Sequence, residues 1–191
     1  MRRTTPWLPW LAALCTVAAC AQAAVREEYT ERPYAVHAQP EQSLRQALDA
    51  ASPITQGGQR RFHGYTRWNV RWSFRWWREA SGRCRITEVT TRLTSEVQLP
   101  ELRGGTPAQR QAFDGYLAAL SRHEQGHVRI GQEAARAIDQ GIAALPEAPD
   151  CDALERDANA LGRRLLDAHT ERERQYDQTT GHGATQGARV D

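Results

Sequence analysis

The stretch GYTRWNVRWSFRWW, residues 64–77, restricts the fold more than any other part of the chain. Trp68, Val70, Trp72, Phe74 and Trp76 alternate with Arg67, Asn69, Arg71, Ser73 and Arg75. Successive side chains of an extended strand point to opposite faces, so this period of two makes one apolar face and one charged face. A helix would scatter the same residues around its circumference. The segment reads as a half-buried strand, with aromatics toward a core and arginines toward water. Trp77 breaks the alternation and is expected on the outer face, as the one Trp placed to meet a substrate. EASGR then turns the chain. CRITEVTTRLTSEVQL follows, with Val89, Leu93, Val97 and Leu99 on one face, and should pair back as an antiparallel hairpin.

Around this hairpin the pattern is simple. EEYTERPYAV reads as a first strand, PEQSLRQALDAAS as a short helix ended by Pro53, and TQGGQRR as a loop. After PELRGG the character becomes helical. Thr106 suits an N-cap with Pro107 at the first helical position. Phe113, Tyr116, Leu117, Leu120, Ile130, Ala134 and Ile138 keep three- and four-residue spacing, which predicts a helix to about Leu145. PEAPD breaks it. A second helix is expected from about Asp152 to Tyr176, followed by a Gly- and Thr-rich loop. The fold class expected is α+β: a small antiparallel sheet beside a long helix and a second, antiparallel helix.

The 191 residues suffice for one domain with a real core. A formal net charge of +2 gives no electrostatic reason to expect a nucleic-acid partner. Residues 1–23 read as an export signal, with Arg2 and Arg3 ahead of an apolar stretch too short and proline-interrupted to span a membrane. Two processing readings stay open. AQA at Ala21–Ala23 suits an ordinary signal peptidase, whereas VAAC, ending at Cys20, suits a lipoprotein box that leaves a lipid anchor on Cys20. Either one places residues 24–191, a single domain, in the periplasm or outside the cell, with no transmembrane segment in the mature chain. Cys84 and Cys151 then remain as an even pair in an oxidising compartment, and a disulfide between them is expected.

The chemistry is concentrated in HEQGH, residues 123–127. Residues four apart on a helix share a face, so His123 and His127 can converge on one zinc ion. Glu124 is rotated about 100° from His123. It is placed as a general base toward a metal-held water rather than as a neighbouring ligand. Gly126 and Gly131 weaken a helix, which makes sense where something approaches it closely. A third ligand is required. His182, flanked by Gly181 and Gly183, is the first choice. Asp177 is the second, followed by Glu147, Glu155, His169 and Glu171.

GYTRWNVRW with GRCRI, then HEQGH, then Cys151 opening a helix, then YDQTTGHGATQG form an ordered set spanning about residues 27–187. With these features the chain resembles the predicted secreted zinc-dependent proteases of bacteria, a domain family of unknown function. The resemblance implies a zincin-like fold and a zinc metallopeptidase with His123 and His127 as ligands and Glu124 as catalytic base. It implies His182 as a further ligand and puts Tyr176 and Asp177 near the site. Chemically, Tyr176 can donate to an oxyanion or simply pack at the helix end, and Asp177 can orient a ligating histidine. The expected substrate is a peptide or protein, including cell-wall peptide. The competing reading is a zinc-binding envelope module that catalyses nothing.

Overall fold

The computed structural model describes residues 25–56 and 60–190. The export-signal expectation over residues 1–23, Cys20 included, lies outside the described residues. The α+β class is borne out, and its centre is the expected hairpin. Strand β5 (Tyr65–Arg78) pairs antiparallel with β6 (Cys84–Gln98), and Trp68 stands opposite Ser95 and Val70 opposite Leu93. Val70 is buried and Trp68, Trp72 and Phe74 are half-buried, while Arg67, Arg71 and Arg75 are exposed. Period two thus separated core from solvent as far as Phe74, whereas Trp76, expected on the core face, is 40% exposed. The register shifts between Arg75 and Trp76, and Trp77 is 59% exposed at the far end of the hairpin from the cleft described below. It is therefore Trp68, not Trp77, that lines that cleft.

The sheet is mixed rather than purely antiparallel. EEYTERPYAV forms two strands, β1 (Arg26–Glu31) and β2 (Tyr34–Ala38). Strand β1 runs parallel to β6, giving the order β1-β6-β5, and β2 runs parallel to β7 (Pro100–Gly104). Both ladders share one register offset, Glu31 facing Val97 and Tyr34 facing Pro100. The interruption falls at Pro33, which has no N–H to give a ladder. The segment TQGGQRR is not wholly a loop either. Its ends belong to β3 (Ile54–Gln56) and β4 (Arg60–Phe62), which pair antiparallel.

Helix α1 (Leu44–Ala51) starts at a capping box between Ser43 and Gln46. Helix α2 (Pro107–Ala143) starts the same way, with Thr106 and Gln109 bonding reciprocally and Pro107 in the first turn. Each box satisfies N–H groups that the first turn would otherwise leave bare. Helix α3 (Cys151–Thr180) is capped by Asp150 and runs four residues beyond the expected end. It returns antiparallel to α2: Arg172 pairs with Glu133, and Leu165 packs over Gly141. The Cys84–Cys151 disulfide is present, with Cα atoms 5.1 Å apart, and ties the start of β6 to the start of α3.

Two larger apolar clusters hold these elements, beside a smaller one of Cys84, Ala148 and Leu154 at the disulfide. One joins Val36, Leu44, Leu48, Phe113 and Tyr116 to Val190 of the C-terminal tail. The other packs Val70, Val89 and Leu93 of the sheet against Ile138 and Ile142 of α2 and Ala158 of α3. The HEQGH turn of α2 lies between the parts of the helix that serve each cluster, so both cores fix its position.

Candidate metal centre

Helix α2 buries a polar turn in a largely apolar face, with Asp139 buried farther along it. His123, Glu124 and His127 are 3%, 4% and 6% exposed. Burying such groups is costly unless they find partners, and α3, β5 and the tail supply them. Asp177, on the last turns of α3, brings its Oδ1 to 3.2 Å from His123 Nε2 and 3.1 Å from His127 Nε2. The two Nε2 atoms are 3.3 Å apart. These three atoms make a nearly equilateral triangle, and the three residues form a group able to hold a metal ion.

Further contacts fix each member of this group. His123 Nδ1 donates to Gln186 Oε1 at 3.0 Å, which turns its Nε2 toward the triangle. His127 Nδ1 lies 3.2 Å from Glu173 Oε1, close but off the angle of a good hydrogen bond. Glu173 is itself anchored by Trp68 Nε1, which donates at 3.0 Å. Tyr176 stacks on the His123 ring with centroids 5.1 Å apart and planes 12° from parallel. Its hydroxyl donates to the His123 carbonyl at 3.3 Å and accepts from Gln186 Nε2 at 3.0 Å. Both helix glycines are explained by close approach. A Cβ on Gly126 would stand 2.1 Å from Tyr176 Oη, and one on Gly131 would stand 2.8 Å from Trp68 Cγ.

Glu124 points toward Gly64 and Thr66 at the start of β5. Thr66 Oγ1 donates to its Oε2 at 2.7 Å. Burial pushes the Glu124 carboxyl above the usual range, while the Thr66 bond and both histidines pull it back. For His127, burial disfavours the charged ring, but Asp177 and Glu173 outweigh it and raise the pKa to about 9. Asp177 shows the reverse balance: burial raises it, and the two histidines hold it well below the ordinary carboxylate range. Neutral imidazole nitrogens beside a carboxylate oxygen are all acceptors, which is the donor set of a cation site.

The site opens into a cleft of about 1130 Å³, lined by Thr66 and Trp68 from β5, His63 and Gly64 before it, and the tail. His182 also lines it, but outside the His123/His127/Asp177 triangle. Its Nδ1 is 3.4 Å from Asp177 Oδ1, and its ring packs edge-on against Phe62. The backbone does reverse here: Gly181, His182 and Gly183 all have positive φ, at 56°, 52° and 84°. That reversal returns the tail across α2 and delivers Gln186 to His123. Tyr176 faces His123 and Gln186 rather than the cleft. The other carboxylate and histidine candidates are elsewhere. Glu147 pairs with Arg83, Glu171 pairs with Arg174, Glu155 is exposed, and His169 Nδ1 bonds the Leu165 carbonyl.

Thr66, Trp68 and Gln186 carry no signal as site residues in the sequence, and Glu173 reads there only as a residue four from His169, a possible ligand face on a highly charged stretch that reads better as solvated. Glu173 and Asp177 are four apart on α3, the same spacing as His123 and His127 on α2. Two such pairs on antiparallel helices face one another, a signal available from spacing once the helices are known to pack.

The fold and the site define a class: an α+β domain in which two long antiparallel helices bring a His/His/carboxylate group to the floor of a cleft. The chain belongs to the family described as Bacterial protein of unknown function (DUF922), whose model matches residues 31–183. No curated protein matches the chain. No solved structure matches it either.

Proposed function

We propose that this chain is a zinc-dependent peptide hydrolase of zincin-like design, acting outside the cytoplasm. The observation that carries the reading is the triangle of ligand atoms, with edges of 3.1, 3.2 and 3.3 Å. A tetrahedral zinc with bonds of about 2.0–2.1 Å has ligand–ligand edges near 3.3–3.4 Å. Two imidazole nitrogens favour zinc over calcium or magnesium, which prefer oxygen. The bound ion supplies Lewis acidity, which eases loss of a proton from water near neutral pH.

The protein's own groups do the remaining work. Glu124 Oε2 is held by Thr66, which leaves Oε1 to accept the proton of the attacking water and pass it to the leaving amine. The raised affinity of Glu124 for a proton suits that role. Asp177 takes the third ligand position in this reading, and His182 orients it from the cleft side. Tyr176 and Gln186 hold His123, and Glu173 with Trp68 holds His127. A peptide fits as the substrate because β5 is an edge strand of its sheet and runs into the cleft, where an extended chain can pair along it. The disulfide supports an oxidising compartment.

The test uses purified protein and metal analysis. Glu124→Gln should retain about one zinc per chain and lose hydrolysis of a peptide library by 10²-fold or more. Asp177→Asn should lose zinc, whereas His182→Ala should keep it. Full hydrolysis by Glu124→Gln would sink the catalytic assignment. No hydrolysis by the zinc-loaded wild type would leave a binding module in its place.

A further inference from the structure

The walls of the cleft carry a charge pattern that the metal centre does not use. Its three carboxylates, Glu124, Glu173 and Asp177, are engaged by Thr66, Trp68 and the histidines. The charged rim beyond them is arginine. Arg67 and Arg174 have acidic partners, Glu96 at 4.0 Å and Glu171 at 2.5 Å. Arg45, Arg61 and Arg189 differ. Among the described residues none of the three has a carboxylate within ion-pair distance. Each is steadied instead by a backbone carbonyl: Arg45 by Val190, Arg61 by Ser52 at 2.8 Å, and Arg189 by Ala184 at 3.1 Å.

These three share one side of the cleft. Arg45 of α1 reaches the tail at Val190, next to Arg189. Arg61 of β4 bonds Ser52 at the end of α1. The acid nearest in sequence on α1, Asp49, is taken by His63 Nε2 at 2.8 Å. A guanidinium carries five N–H donors in a planar fork that matches a carboxylate. One bond to a carbonyl positions the fork without neutralising it, and donors remain for a ligand.

We propose that Arg45, Arg61 and Arg189 form a carboxylate-binding wall, so that the cleft selects acidic peptides. This rests on the peptide-hydrolase reading and names its substrate class. The carboxylate comes either from Asp or Glu side chains beside the cleaved bond or from a free C-terminus. Contacts at exposed arginines are screened by salt, so the preference is greatest at low ionic strength.

The test separates binding from turnover by using zinc-loaded Glu124→Gln protein. Four dye-labelled peptides of one sequence are titrated by fluorescence anisotropy: with Asp/Glu or with Asn/Gln, each ending in an acid or an amide. Binding should weaken about tenfold when the recognised carboxylate is removed, the loss expected for a charge-assisted contact. The pair of peptides that differs identifies the source. Adding Arg45→Gln, Arg61→Gln or Arg189→Gln should remove most of that preference, while Arg67→Gln, whose guanidinium is already paired, should keep it. Thermal melts of each variant confirm that it is folded. Equal binding of all four peptides, or none by any, overturns the proposal. So does an equal loss in Arg67→Gln. Hydrolysis without carboxylate preference overturns the arginine wall and leaves the hydrolase standing. Carboxylate-dependent binding with no turnover by wild type does the opposite.

Discussion

At the scale of single residues, the centre depends on what is absent as much as on what is present. Gly126 has no side chain, and the Tyr176 phenol fills that space to stack on His123. Gly126→Ala must push Tyr176 away, since the added carbon would lie 2.1 Å from its hydroxyl oxygen. We expect a loss of about 1–3 kcal/mol in metal-free stability, the usual cost of overpacking. Zinc affinity should fall with it, because His123 loses its stacking partner and the bond to its carbonyl. Urea denaturation and zinc titration of the variant check both. A normal zinc affinity would show that Tyr176 is packing alone.

At the scale of elements, α2 and α3 act as two rigid rods that must be held in register along their length. The disulfide fixes one end of α3 to the hairpin, and Asp177 stands about 39 Å away along the helix at 1.5 Å per residue. The Cys84→Ala, Cys151→Ala double variant should lose about 4 kcal/mol, the chain-entropy value for a loop of this length. Zinc affinity of the protein that remains folded should change much less, since Gly126–Tyr176 and Glu133–Arg172 contacts still hold the helices together near the site. Chemical denaturation and zinc titration, compared between wild type and variant, test this separation. A collapse of zinc affinity with intact folding would mean that the far end of α3 sets the geometry of the centre.

At the scale of the whole molecule, an ion held by His123, His127 and Asp177 would join α2 to α3 and so link metal binding to folding. Zinc at a hundred times its dissociation constant should raise stability by about 2.7 kcal/mol. The gain depends on pH through His127. Its pKa rises from 6.5 to about 9 in the metal-free fold. The protonated ring therefore contributes metal-free stability that is complete below pH 6.5 and is lost as pH rises through about 9. Zinc must displace that proton. The zinc-induced shift in melting temperature should accordingly grow from pH 6 to 8.5, with protons released on binding; a flat profile would contradict the assignment of His127 as a ligand.

Local pattern carried a large part of this protein. The alternation at 67–76, the Thr106 cap, the His123/Glu124/His127 face and the Cys84–Cys151 pairing were legible because each is a matter of short-range periodicity, turn chemistry or simple counting. The parallel β1–β6 ladder and the β3–β4 hairpin were not legible, since strand partners are chosen by contacts far apart in sequence. The His123/His127/Asp177 triangle belongs to the same category. Sequence offered both His182 and Asp177, and in the folded chain Asp177 stands with the two histidines because α3 runs straight through Thr180 before the chain reverses. Glu173, Trp68 and Gln186 became part of the centre only by packing. A side chain's neighbours on its own helix follow from spacing, but its neighbours across a core follow from how whole surfaces fit together, and that is decided only in three dimensions.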